Sequence, residues 1–239
     1  MSAASLDGEV ARQGFVAGVR AGLPIVLGYF AIGLTFGVIA RTAGMSVAEV
    51  ALMSLILYAG SSQFVAASLL AAGAATSAIV VTIFMVNVRH LLYSAALAPR
   101  LRDLPIWKSA LVGVELTDET FAVAASHLAA GQTPRAAWLG GLNLSAQTTW
   151  VAATTLGALV GSAIPDPRIL GLDFSLGAMF AALLVLQIAR RPRLGIALAV
   201  TLVGAGISVG GALLLPASWA IVLAAVVAAS AGVALEGRA

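Results

Sequence analysis

Residues 50–88 read VALMSLILYAGSSQFVAASLLAAGAATSAIVVTIFMVNV, a run from Val50 to Val88 without a charged side chain. A helix rises about 1.5 Å per residue, so about 20 apolar residues cross about 30 Å of hydrocarbon. The run is therefore about two crossings long, and it divides where small residues cluster, over residues 71–76. Its second helix is expected to continue through Arg89 and His90 to about Leu97. On the N-terminal side, residues 21–40 fit one crossing. On the C-terminal side, residues 107–129 form a fourth segment that carries Glu115, Asp118, Glu119 and His127. This segment either spans or lies partly in a water-filled cavity. Residues 136–164 make a fifth helix, residues 171–189 a sixth, and residues 194–235 split at Leu215-Pro216 into two more. The expectation is an all-α, polytopic membrane bundle of seven or eight segments.

Composition excludes the main alternatives. Of 239 residues 61% are hydrophobic and only 10% charged, against roughly 25% charged in soluble domains. Cysteine is absent, which removes disulfides, thiolate chemistry and iron–sulfur clusters. The net charge of +3 comes from basic residues that are scattered and mostly flank apolar runs. They read as topology markers and not as a nucleic-acid surface. With two histidines, no His-Glu-x-x-His and no Gly-x-x-x-x-Gly-Lys-[Ser/Thr], no metal, cofactor or direct use of ATP is expected. The first 20 residues lack the basic-then-apolar order of a cleaved signal. Residues 1–20 are expected to be a cytoplasmic tail, residues 21–235 one transmembrane transport domain, and residues 236–239 a short tail.

Orientation is weakly marked. Eight simple crossings put Arg12, Arg20, Arg135, Arg190, Arg191, Arg193 and Arg238 on one side and Arg41, Arg100, Arg102, Lys108 and Arg168 on the other. A cytoplasmic N-terminus is favoured, and the conflict between the two basic loops singles out the acidic fourth segment as one that does not cross fully. Glycines at four-residue spacing, Gly14, Gly18 and Gly22, Gly33 and Gly37, Gly157 and Gly161, Gly206 and Gly210, bring helix backbones close, within this chain or between copies. A Gly-rich helix, a loop and an interrupted helix recur loosely in residues 28–70 and 143–185, which admits an inverted repeat.

Four polar clusters lie at membrane depth, where each polar group is costly. In Tyr58-Ala59-Gly60-Ser61-Ser62-Gln63-Phe64, Gly60 and the serines weaken the helix, and an unwound turn offers amides and hydroxyls to an anion. The same groups also suit bonding to carbonyls and to a neighbouring helix. In Asn87-Val88-Arg89-His90-Leu91-Leu92-Tyr93, Asn87, His90 and Tyr93 recur at about three residues and face one way, with Arg89 pointing elsewhere, toward the interface or an acidic partner. His90 suits proton transfer, and Asn87 and Tyr93 suit substrate or water, unless the three merely form an interhelical network. In Glu115-Leu116-Thr117-Asp118-Glu119-Thr120, Glu115 and Glu119 share a helix face at four-residue spacing, with Asp118 beside Glu115. Three adjacent carboxylates repel, so one pairs with arginine or holds a proton. Asn143, Ser145, Gln147, Thr148, Thr149 and Trp150 form an uncharged band in which Asn143 and Gln147 share a face, lining a hydrated path or bonding an adjacent helix. Discontinuous helices are expected near Gly60 and within residues 143–150.

The ordered set Leu57-Tyr58-Ala59-Gly60-Ser61-Ser62-Gln63-Phe64, Asn87-Val88-Arg89-His90-Leu91-Leu92-Tyr93-Ser94 and Leu116-Thr117-Asp118-Glu119-Thr120 resembles the AzlC family. So do Gly22-Leu23-Pro24-Ile25, the pair Gly33 and Gly37, and residues 173–184, so the similarity covers nearly the whole chain. The resemblance implies the large subunit of a bacterial branched-chain amino-acid exporter in the inner membrane, working with a small AzlD-type membrane subunit of roughly four helices and associated with azaleucine resistance. Leucine, isoleucine and valine are the implied substrates, with methionine by analogy.

A zwitterionic substrate needs an anion site, a cation site and an apolar slot, and the clusters supply them. Gly60, Ser61, Ser62 and Gln63 are expected to receive the carboxylate, Asp118 or Glu119 the ammonium or a counter-proton, and His90 with Tyr93 to relay protons, with Asn87, Asn143 and Gln147 as further substrate contacts. No catalytic residue is expected. Two other classes stay open: an intramembrane enzyme using Asp118 and Glu119 as acid and base, and a structural subunit of another transporter.

Overall fold

A computed structural model describes residues 3–102, 104–131, 136–161, 193–214 and 217–236, with isolated positions between 163 and 188. Its residues group into two compact units, Met1–Leu176 and Gly177–Ala239. Among the described residues all regular structure is helical. The first unit holds α1 (Ala3–Thr42), α2 (Val47–Ile56), α3 (Gly60–Ala71), α4 (Thr76–Asn87), α5 (Arg89–Leu97), α6 (Ile106–Val114), α7 (Asp118–Ala129) and α8 (Ala136–Gly161). The second holds α9 (Leu194–Ala212) and α10 (Ala217–Glu236), which pack on each other.

The first unit is organised around α1 and α8. A Cβ on Gly18 would strike the Trp138 carbonyl oxygen, and one on Gly37 the Thr154 carbonyl oxygen. From the other helix, Gly141 lies on the Phe15 carbonyl and Gly157 on that of Leu34. The two helices touch backbone to backbone over several turns, as small-residue spacing allows. That contact carries α1 past the expected first crossing of residues 21–40, because Gly14 and Gly18 still lie against Ala137 and Trp138. Pro24 sits inside α1, on an exposed side. Gly206 and Gly210, spaced in the same way, have no neighbouring atom at the position of a Cβ.

Between α1 and α8 lies the core. Trp150 meets Tyr29 edge-on with ring centroids 5.0 Å apart and stacks at 6.2 Å on Phe36, which meets Phe64 at 5.2 Å. Leu139, Leu142, Ala146 and Ala153 are fully buried beside it. These are the apolar positions of α8, while its hydroxyl residues bond back along their own helix. Ser145, Thr148 and Thr149 donate to the carbonyls of Leu142, Leu144 and Ser145 at 3.0, 2.6 and 2.8 Å. The discontinuity expected within residues 143–150 is therefore absent: Ser and Thr satisfied by carbonyls three or four residues back leave the ladder intact.

The other helices are short because the chain breaks. A capping box starts α2: Glu49 accepts the Ser46 amide at 2.6 Å while Ser46 accepts the Glu49 amide at 3.2 Å. The Ser46 amide holds the Glu49 carboxyl below the usual carboxylate range. After Ile56 the chain turns through Tyr58, whose φ of 32° lies in the left-handed region, and extended Ala59, so α3 begins anew at Gly60. This is the discontinuity expected near Gly60. The second break falls over residues 72–75, with Gly73 at φ 69°, where the small residues cluster. Helices α4 and α5 follow each other through Val88 to Leu97.

Residues 107–129, expected as one helical segment, form two helices. Thr117 is extended and caps α7, accepting the Thr120 amide at 3.3 Å while Thr120 accepts the Thr117 amide at 2.9 Å. Glu115 is thus the C-cap of α6 and Glu119 belongs to the first turn of α7, so the shared face expected for Glu115, Asp118 and Glu119 does not exist. By length and apolarity, three described stretches suffice to cross a membrane: Gly14–Thr42, Thr76–Arg100 and Leu194–Ala212. Most of the expected sixth helix, and with it the C-terminal part of the second repeat half, lies outside the described residues. The chain is a multi-pass, all-helical membrane protein.

The glycine contact yields a direct test. Gly37→Val must push α1 off the α8 backbone and is expected to destabilise the fold by about 1–3 kcal/mol, read as a lower midpoint in thermal unfolding of the purified chain in detergent. Gly28→Ala, at a helical position with no atom within 4 Å of a Cβ, is expected to leave the midpoint unchanged or raise it slightly.

Candidate functional site

The breaks bring helix ends from distant parts of the chain together. The N-terminus of α3 supplies Ser61 and Ser62, both buried. Ala59 before it gives no side-chain cap, so the first-turn amides of α3 make this end electropositive. The junction of α4 and α5 supplies Asn87 and Arg89, and Tyr93 follows one turn later. The N-terminus of α7 supplies Asp118 and Glu119 in a first turn whose dipole favours their negative charge.

One ion pair joins the three. Arg89 Nη2 lies 2.9 Å from Asp118 Oδ2 and also donates to Ser61 Oγ. The Tyr93 hydroxyl donates to Asp118 Oδ1. The Tyr93 ring stacks on Phe121 of α7 with centroids 4.7 Å apart, which fixes the hydroxyl on the carboxylate. Of the two directions open to Arg89 it takes the acidic partner, and with Tyr93, four residues on, it converges on Asp118.

The remaining candidates fall around this pair. His90 Nδ1 lies 3.1 Å from the Asn87 carbonyl oxygen, and its ring meets Tyr93 edge-on at 5.7 Å. With Nδ1–H donating to that carbonyl, Nε2 is the nitrogen left to exchange a proton. The Ser62 hydroxyl donates to Asn87 Oδ1 at 2.6 Å, tying α3 to the end of α4. Glu119 accepts from the Tyr29 hydroxyl at 2.6 Å, and that oxygen lies 2.8 Å from Thr117 Oγ1. A hydroxyl has one proton, so Tyr29 gives it to Glu119 and accepts from Thr117.

Gln63 faces the other way. Its Oε1 accepts from the Trp150 indole at 2.6 Å, its Nε2 donates to Ser54 Oγ at 3.2 Å, and Thr154 donates to the same serine at 2.8 Å. This fully buried chain pins α2 and α3 to α8, and Gly60 lies against the Trp150 ring because a Cβ there would come within 3.1 Å of it. Asn143 and Gln147 stay on α8, apart from the ion pair. Asn143 is buried with its Oδ1 unpartnered, and Gln147 is half-buried.

Periodicity also misses residues that matter. Tyr29 is legible only as an isolated tyrosine in mid-span, and Tyr58 is buried with a hydroxyl that has no partner. A cleft of about 610 Å³ is lined mainly by apolar side chains, among them Ile56, Leu97, Leu101 and Val114, with Tyr58, Asn87, His90, Ser94 and Ser109 as its polar members. Among the described residues, no group of three or more His, Asp or Glu is placed to hold a metal ion. The arrangement offers exchangeable charge partners, hydroxyls and an apolar recess, which suits binding and proton exchange more than bond cleavage.

Comparison with known proteins agrees with this character. The family model described as AzlC protein matches residues 24–164. The chain is 36% identical to the inner membrane protein YgaZ of Escherichia coli over 80% of its own length and 79% of that protein. It is 38% identical to an uncharacterized membrane protein of Archaeoglobus fulgidus, over 72% and 74% of the two chains. It is 29% identical to the branched-chain amino acid transport protein AzlC of Bacillus subtilis, over 69% and 64%. No solved structure matches.

The buried bond between Trp150 and Gln63 can be weighed by substitution. Trp150→Phe strands Gln63 Oε1 and is expected to cost about 1–3 kcal/mol for the unpaired group. Adding Gln63→Met removes the stranded oxygen and is expected to restore part of the loss, both read in thermal unfolding.

Proposed function

The chain belongs to the AzlC family, and from that premise we propose that it is a secondary transporter subunit exporting leucine, isoleucine and valine, with methionine a further substrate, driven by a proton gradient. It works in the bacterial cytoplasmic membrane with a small AzlD-type subunit of roughly four helices, and its seven or eight segments form one transport domain. The observation that carries this reading is the ion pair of Arg89 and Asp118, built from three helix ends inside an otherwise apolar bundle. Intramembrane charges are costly and gather on substrate and ion pathways.

The roles follow from the contacts. Ser61 and the first turn of α3 take the substrate carboxylate beside Arg89. Asp118 takes the ammonium or a counter-proton, and competition between the two makes proton entry and substrate exit alternate. Tyr93, bonded to Asp118, and His90 against its ring are the relay. Glu119, held by Tyr29, is the second carboxylate able to carry the proton. The family's name in Bacillus subtilis supports transport and the branched-chain class.

Cells preloaded with labelled leucine, isoleucine, valine or methionine test the reading, with and without the small subunit and across imposed pH gradients. Loss of label that needs the subunit and follows the gradient is the expected result. In Asp118→Asn, export is expected to fall by about tenfold or more, the scale on which removing one member of an enclosed charge pair acts, with an unchanged amount of protein in the membrane. Full export by that variant, or no efflux of any of the four amino acids from inserted wild-type protein, overturns it.

A further inference from the structure

Arg89 is engaged through one nitrogen. Its Nη2 serves both Asp118 and Ser61, while Nε is enclosed and meets no acceptor. A guanidinium carries five donors in a planar fork and pairs most strongly with a carboxylate through two parallel bonds. The pair with Asp118 therefore leaves donor capacity unused. It is also reachable, with side chains 27% and 18% exposed.

A second observation lies beside it. The 610 Å³ cleft is lined by His90, next to Arg89 in the chain, and by Leu116, two residues before Asp118. Its size is that of a small-molecule pocket, and its apolar wall with few polar groups is the usual composition of one. Tyr58, only 6% exposed, is one of its lining residues, and its hydroxyl meets no hydrogen-bond partner. An enclosed hydroxyl without a partner is unfavourable, and a ligand polar group at that point relieves it.

Charge balance then selects the ligand class. Opening the ion pair without replacement strands a cation and an anion in a poorly hydrated bundle. A ligand with one charge satisfies one residue and strands the other. A zwitterion satisfies both, its carboxylate on Arg89 and its ammonium on Asp118, and the site stays neutral before and after binding. We propose that Arg89 and Asp118 together are the receptor for the headgroup of an α-amino acid, which inserts into their ion pair and lays its side chain in the cleft lined by Tyr58, Ser94, Leu97 and Leu116. This deepens the transport reading and rests on it. It gives Arg89 a substrate-binding role and makes the ion pair the resting form of the binding site.

The proposal has a crossed signature that a merely structural ion pair lacks. Leucine, 4-methylpentanoate, which keeps only the carboxylate, and 3-methylbutylamine, which keeps only the ammonium, are titrated calorimetrically into the full chain, purified alone and together with the small subunit, in lipid nanodiscs. Wild type is expected to bind leucine at least about tenfold more tightly than either half-ligand. Arg89→Gln is expected to lose leucine by about tenfold or more and to gain affinity for 3-methylbutylamine, which neutralises the stranded Asp118. Asp118→Asn is expected to lose leucine and gain affinity for 4-methylpentanoate, while Arg89→Lys retains leucine binding in weakened form. If either neutral variant does not fold, Arg89→Gln with Asp118→Asn leaves no charge stranded and is expected to bind none of the three ligands. Equal loss of all ligands in both single variants, unchanged leucine binding in either, or leucine binding by the double variant overturns the proposal. Wild type that binds leucine without the crossed pattern defeats the ion-pair receptor and leaves the transport reading standing. The crossed pattern with alanine and its half-ligands, and no binding of leucine, defeats the branched-chain reading and leaves the receptor standing. Wild type that binds no amino acid defeats both.

Discussion

Everything in the first unit depends on α1 and α8 meeting backbone to backbone. Glycine on both helices removes the side chains that would hold them apart, so the indole of Trp150 is enclosed by Tyr29 and Phe36 and points its N–H at Gln63. Gln63 in turn holds Ser54, which also takes the Thr154 hydroxyl. The break between α2 and α3 is thus anchored on both sides to α8. With α3 fixed, Ser61 and Ser62 have defined positions, and they meet Arg89 and Asn87. A packing contact far from any charge therefore sets the geometry of the charged site.

The site itself shows why it is built from helix ends. The middle of a helix has its amides and carbonyls paired and offers a ligand only side chains, whereas a first turn offers free N–H groups and a favourable field for anions. Asp118 and Glu119 occupy such a turn, capped by Thr117 and Thr120. The uncapped first turn of α3 lies beside Arg89, a repulsive placement for a cation that Asp118 offsets. The two networks, Ser61–Arg89–Asp118–Tyr93 and Glu119–Tyr29–Thr117, meet at the peptide bond between Asp118 and Glu119, so rearranging one carboxylate reaches the other through a shared turn.

The all-helical class, the break over residues 72–75 and the division near residues 215–216 were legible in the sequence because apolar run length and small-residue clusters reflect local physics. Residues 61–62, 87–93 and 118–119 were legible as polar clusters, since polar groups in an apolar run stand out. The break after Glu115 was not legible. Glu115 and Glu119 satisfy the four-residue spacing of one helix face, and the cap that separates them uses Thr120 where a glutamate or glutamine is the commoner partner. The α8 band misled in the opposite sense, because Ser and Thr suit an unwound turn and a back-bonded helix equally well until their acceptors are known. Arg89 was legible as a cation facing either the interface or an acidic partner, and the fold makes that partner Asp118. The bond between Tyr29 and Glu119 joins residues 90 positions apart, a distance over which no local pattern carries information.

The glycine-lined contact has a mechanical consequence. Where two backbones touch directly, no rotamers lie between them to repack, and small sliding has no alternative interdigitation to settle into. Shear between packed helices, one of the two common ways a domain deforms, is therefore closed to α1 and α8, and they act as a single strut. The freedom to change shape is left to the non-helical joints, among them residues 57–59, 72–75 and 115–117, where a few backbone dihedrals can rotate without breaking a helix ladder. The first and last of these lie within two residues of Ser61 and Asp118, so a hinge motion there moves the partners of Arg89 directly.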